Sequence, residues 1–158
     1  MTDKEYMMLA LEEAKRARDE GEVPIGAVLV YQDMLLAAAH NRCEQTPDPT
    51  AHAEILVLQK GAIRLSQWRL TECTLYVNIE PCAMCAGAIM NARLGRLVYG
   101  APDPGAGGID SCFQIGKGSQ MNHHLSITSG VMRAECKEIM DRFFQARRIR
   151  QGDVSKWS

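Results

Sequence analysis

The sequence predicts an α/β domain built on a five-stranded mixed sheet. Strand-like and helix-like segments alternate along the chain, the pattern of a layered α/β architecture. The first two strands are separated by only Gln32-Asp33, short enough for an antiparallel hairpin. The later strands are separated by helical or long segments. With 158 residues, 46% of them hydrophobic, the chain is expected to form one domain, 1–158, with a core of its own.

Each element has a local reason. Asp3 or Thr2 can cap a first helix, in which Met7, Ala10, Leu11, Ala14 and Ala17 recur at helical spacing and which Gly21 ends. Pro24 breaks the chain. Ile25 to Tyr31 reads as a buried strand, Gln32-Asp33 as a tight turn, and Met34 to Ala39 as its antiparallel partner. Asn41 to Thr50 is a loop with Pro47 and Pro49 as breakers. Thr50 can cap a second helix that runs to about Lys60, with Gly61 closing it. Thr74 to Ile79 is a third strand. Pro81 suits the first turn of a third helix, which ends near Asn91. Leu97 to Tyr99 is a short fourth strand, and the Gly- and Pro-rich run 101–120 a long loop. Leu125 to Thr128 is the fifth strand. Met132 to Arg150 is the last helix.

Composition narrows the function. No apolar run approaches the ~20 residues needed to span a bilayer. The opening Met1-Thr2-Asp3-Lys4-Glu5 has no signal-like apolar stretch, so a cytoplasmic protein with no membrane partner is expected. The six cysteines are then reduced thiols, of which only Cys82 and Cys85 have metal-ligand spacing. Net charge is −1 and does not by itself indicate a nucleic-acid binder. From Arg142 onward, however, Arg142, Arg147, Arg148, Arg150 and Lys156 stand against one acid, Asp153. This end is either an electrostatic footprint or a helix end whose cations complement the dipole.

Two strings carry chemistry: His52-Ala53-Glu54 and Pro81-Cys82-Ala83-Met84-Cys85. They supply one imidazole, two thiolates and a spare carboxylate. Three protein ligands with an open fourth position mark a catalytic zinc, whereas structural zinc closes the fourth. Bound zinc lowers the pKa of its water to about 7, and Glu54 is the candidate to carry the proton. Cys82 and Cys85, at i and i+3, share one helix face. A purely structural zinc would need another ligand, for which His40, His123, His124, Cys43 or Glu54 itself are available by composition. A redox Cys-x-x-Cys would leave His52-Ala53-Glu54 without a role.

These two strings resemble the zinc-dependent cytidine deaminase superfamily, whose signature and glutamate role are established chemistry. The resemblance extends over nearly the whole chain to bacterial tRNA-specific adenosine deaminases. It rests on Val23-Pro24-Ile25-Gly26-Ala27-Val28, Asn41, Asp48-Pro49-Thr50-Ala51-His52-Ala53-Glu54, Thr74-Leu75-Tyr76-Val77, Glu80 through Ile89, Tyr99-Gly100-Ala101, Asp103, Asn122-His123, Glu135-Cys136 and Phe143 through Arg148. It implies a three-layer α/β/α cytidine-deaminase-like fold. It further implies a homodimer that converts the wobble adenosine of a tRNA anticodon to inosine. His52, Cys82 and Cys85 would hold one zinc per subunit, and Glu54 would shuttle protons. Asn41 would bind the purine, with backbone near Ala53 helping. Asp103, His123, Phe144, Arg147 and Arg148 would touch the anticodon nucleotides, where aromatic and guanidinium planes suit unstacked bases.

Plainer readings stand beside these. Asn41 and Asp103 both suit turns, and His123 suits a structural hydrogen bond. Met84, Met90 and Ala86 to Ala88 suit helix packing. One helix is not expected to bury both Phe143 and Phe144, so one should be exposed. Gly105 stands where the family often carries lysine, which removes a cation from that loop. Two other functions share the motif: deamination of a free base or nucleoside such as guanine or cytosine, and a non-catalytic zinc or RNA-binding module.

Overall fold

A computed structural model describes residues 1–118 and 122–151. Nine elements follow in order. They are α1 (Asp3–Asp19), β1 (Gly26–Tyr31), β2 (Met34–His40), α2 (Ala53–Leu65), β3 (Cys73–Ile79), α3 (Ala83–Asn91), β4 (Arg96–Ala101), β5 (Ser126–Ser129) and α4 (Arg133–Gln151). The sheet order is β2-β1-β3-β4-β5. β1 is antiparallel to β2 and β3, while β4 and β5 run parallel to β3, so the sheet is mixed as expected.

The strands sort their side chains by the period of two. Ala27, Leu29, Leu75, Val77 and Leu97 face a core completed by Val57 and Leu58 of α2 and Ile89 of α3. Val28, Val30, Tyr76 and Val98 face Met7, Ala10 and Leu11 of α1 and Cys136, Met140 and Phe143 of α4. Helices therefore cover both faces, giving the three-layer α/β/α arrangement.

Several ends differ from the sequence expectation. Of the two expected caps of α1 it is Thr2 that serves, accepting from the Glu5 N–H. The Gln32-Asp33 turn has φ of 49° and 60°, both left-handed, the combination that matches hairpin twist. Thr50 does not cap α2. Its amide and hydroxyl bond to Asp48 Oδ1, and His52 is the residue that precedes the helix. Nor does Gly61 end α2, which continues to Leu65 and stops at Ser66 with φ 53°. Gly61 is needed for packing, because a Cβ there would lie 2.3 Å from Leu29 Cδ2. Pro81 and Cys82 precede α3, with Cys82 at its N-cap.

Phe143 and Phe144 are both buried, at 8% and 7% exposure, against the expectation that one is exposed. α4 packs on β3, β4 and α1 together, so its covered arc is wide enough for adjacent residues. The two rings meet edge-to-face with centroids 5.2 Å apart.

At the β2 edge, Leu36 is an extra residue where the register with β1 shifts. The Leu36 and Ala38 carbonyls accept from Arg64 and Lys60 of α2. At one end of the sheet, Gly26 pairs with His40 and Ala27 with Val77, beside the Ile79–Ala101 pair. The segments that follow β2, β3 and β4 thus all leave from the same end, the place where open α/β sheets bind ligands.

Candidate active site

The starts of α2 and α3 meet at that end. His52 precedes α2 and Cys82 precedes α3, and neither uses its side chain to cap its helix. Cys85 lies one turn on. His52 Nδ1 is 3.7 Å from Cys82 Sγ and 3.4 Å from Cys85 Sγ. A tetrahedron with a metal–sulfur bond of about 2.3 Å and a metal–nitrogen bond of about 2.0 Å has a nitrogen–sulfur edge of about 3.5 Å. The trio has the spacing of zinc ligands, and its donor atoms all lie within 4.8 Å of one another. Among the described residues it is the one such group of three. None of the other histidines, nor Cys43, joins it as a fourth ligand.

The electrostatics agree with a ligand set. Cys82 is drawn down to about 4, first by its hydrogen bond with Cys85 and then by His52, against the opposing effect of burial. His52 is raised by its contact with Cys82. Cys85 is pushed up by its hydrogen bond with Cys82 and by burial. The positive dipole ends of two helix N-termini favour the thiolate, and the thiolate in turn, not the dipoles, raises the imidazole.

Glu54 is 2% exposed, and burial pushes its carboxyl up to about 7. Its Oε1 is the one buried side-chain nitrogen or oxygen atom without a hydrogen-bond partner among the described residues. An orphaned buried oxygen calls for a partner from outside the chain. A metal-ligand trio beside it fits the donor set of a zinc-deaminase site.

Asn41 is brought to the same place. It is 5% exposed, and its Oδ1 accepts the Ala53 N–H at 2.8 Å. It thereby satisfies the first free amide of α2, the role that His52 leaves unfilled. The Ala53 amide is thus taken by Asn41 Oδ1.

Sequence comparison points the same way. The family model of MafB19-like deaminases matches residues 1–148. A tRNA-specific adenosine deaminase of Haemophilus influenzae is 46% identical over 147 residues, spanning 92% of this chain and 85% of its own. One of Bacillus subtilis is 42% identical over 154 residues, spanning 98% of this chain and 96% of its own. The chain belongs to the tRNA-specific adenosine deaminase family. A solved structure from studies of A-to-I editing by tRNA:A34 deaminases at the wobble position of transfer RNA is 44% identical. Its TM-score is 0.82 over 85% of this chain and 98% of that one.

The other residues expected from family membership are spread more widely. Asp103 lies beside the site, with its amide on Glu80, but its Oδ1 accepts from Gly105 and Ala106 and closes a turn. His123 bonds to the Leu94 carbonyl beyond the C-terminal end of α3. A nine-residue helix is about 13 Å long, so His123 is a helix length from Cys82. Phe144, Arg147 and Arg148 belong to α4, on the opposite face of the sheet from α2 and α3. The Arg147 guanidinium lies 5.8 Å from the Phe143 ring centroid. Phe144 itself is buried and packs with Phe143 in the core beneath α4. Asp153 and Lys156, also counted in the basic end, lie outside the described residues.

Two acids that the sequence reading gave no role shape the site's loops. Glu22, 1% exposed, accepts the amides of Glu44 and Gln45 and fixes the segment after Asn41. Glu80, also 1% exposed, gathers the segment after β4. The available signal was a charged residue at the end of a buried strand, directly before Pro81-Cys82.

Proposed function

We propose that the protein hydrolyses the wobble adenosine of a tRNA anticodon to inosine, with residues 1–158 forming one zinc-dependent deaminase domain. The observation that carries the chemistry is Glu54, buried with an unpartnered oxygen beside the His52–Cys82–Cys85 trio. The tRNA-acting relatives support the substrate. Zinc held by His52 Nδ1 and the two sulfurs would supply a water acidic enough to ionise near neutral pH.

The chain's own groups do the rest. Glu54, with its carboxyl raised to about 7, accepts a proton from the water and delivers it to the purine ring nitrogen, then assists the departing amine. A C6–O bond forms, the C6–N bond breaks, and ammonia leaves. Asn41, held by Ala53, donates its amide to the purine. Arg147 and Arg148 serve as cations for anticodon phosphates, with Asp103 and His123 bordering flanking nucleotides.

One zinc per subunit of a homodimer completes the proposal. A shallow groove of about 300 Å³ between α2 and α3, lined by Leu58, Leu70, Ala88 and the half-exposed Trp68, supports contact through this helical face. No described helix is long and apolar enough to cross a membrane, and the cytoplasm is the proposed location.

The test is inosine mapping in an anticodon stem-loop with wild type and Glu54→Gln. Wild type forms inosine at the wobble position. Glu54→Gln keeps its zinc and loses about 10²- to 10⁴-fold in kcat. Ammonia release from free guanine with no inosine in the RNA would refute the substrate, and full activity of Glu54→Gln would refute the mechanism.

A further inference from the structure

Five donors converge on one buried carboxylate next to the metal ligands. Glu80 Oε1 accepts from the Asp103 amide at 3.0 Å and from Ser111 Oγ at 2.5 Å. Its Oε2 accepts from the amides of Ile109, Asp110 and Ser111 at 3.1, 2.7 and 2.9 Å. A carboxylate only accepts, so it can hold donors on every side. Glutamine could not, because its NH₂ would face N–H groups.

The segment so gathered lies against the ligand-bearing strand end. Gly108 donates to the Pro81 carbonyl at 2.7 Å, and Cys82 forms a β-bridge with Gly107. The approach is close enough to require glycine twice. A Cβ on Gly107 would lie 2.3 Å from Glu80 Cδ, and one on Gly108 would lie 2.8 Å from the Ala83 nitrogen at the start of α3. Residues 103–111 therefore form a rim beside the trio, and Glu80 is its post.

We propose that Glu80 is a positioning residue for substrate recognition: it folds the 103–111 rim against Cys82 and so sets how the RNA nucleotides flanking the target are held, while proton transfer stays with Glu54. This rests on the RNA-deaminase reading above. Loss of the post loosens the rim, raises KM for RNA and leaves the ligand trio in place.

The experiment uses zinc-loaded full-length protein, an anticodon stem-loop RNA and Glu80→Gln. KM rises 10-fold or more, kcat stays within about 3-fold, and zinc content is unchanged. Amide hydrogen exchange accelerates in 103–111 but not in α3. Unchanged KM, a kcat loss larger than the KM change, loss of zinc, or unchanged exchange in the rim would each overturn the proposal. Should Glu80→Gln fail to fold, Ser111→Ala removes one of the five bonds and gives the same pattern at about 2- to 4-fold. An unchanged KM in Ser111→Ala overturns the proposal equally. Wild-type inosine formation tests the parent reading separately, and the exchange measurement decides the role of Glu80 whatever that result.

Discussion

Asn41 offers a clean separation of structure from recognition. Its Oδ1 holds the Ala53 amide at 2.8 Å inside the protein, and its amide N–H groups are assigned to the purine. Asn41→Ala removes both. A lost cap of this kind costs about 0.5–2 kcal/mol, and a buried N–H left without a partner about 1–3 kcal/mol. These describe one lost bond, so about 1–3 kcal/mol is expected in total. For a chain of this size the corresponding fall in Tm is roughly 2–10 °C. Asn41→Asp keeps the acceptor, places a negative charge at a helix N-terminus where it is favoured, and removes the donor. It should recover at least half of the lost stability. Its kcat/KM on stem-loop RNA should still fall about 10- to 100-fold, as expected for one lost hydrogen bond to substrate. Thermal unfolding of the zinc-loaded proteins and initial rates of inosine formation measure the two effects. An Asn41→Asp variant as active as wild type, or an Asn41→Ala variant with unchanged Tm, would refute the two-sided role.

Three further outcomes concern α4 and the start of α1. Phe144→Ala should lower stability by about 3–5 kcal/mol, as for other buried aromatics, whereas Arg147→Ala should spare stability, raise KM for RNA and flatten its salt dependence. Denaturant unfolding and salt-dependent KM distinguish them; a Phe144→Ala protein with wild-type stability contradicts the packing described. Asp3 is held below the usual carboxyl range, chiefly by its hydrogen bond from Arg96. A depressed folded pKa gives stability that is present above the unfolded carboxyl value of about 3.9 and is lost as pH falls through the folded one. The Tm deficit of Asp3→Asn should therefore be constant near neutrality and shrink below about pH 4; a deficit that grows there would be the wrong sign.

Much of this was legible from residue order. Continuous apolar runs marked β1 and β3 as strands buried on both faces, helical spacing marked α1, and the His52 and Cys82–Cys85 strings picked out the trio that the fold brings together. Less visible were features set by contacts distant in sequence. Thr50 looked like a cap because Ser and Thr usually are, but Asn41, twelve positions before the Ala53 amide it binds, does that work. Gly61 looked like a stop because its packing against Leu29 cannot be seen in a local window. Phe143 and Phe144 looked incompatible with one buried face because the number of neighbours around α4 is a tertiary property. Glu80 was hidden because its five partners lie between 23 and 31 residues further along the chain.

The two cations lying over β2 bear on how copies of this chain can meet. An end strand with open carbonyls invites another strand to zip alongside it, in dimers and in aggregates alike. Lys60 and Arg64 occupy the Ala38 and Leu36 oxygens, and the opposite border of the sheet is a strand of only four residues. Ribbon-to-ribbon growth is thus disfavoured on both flanks, so the proposed homodimer would have to form through a helix-lined surface.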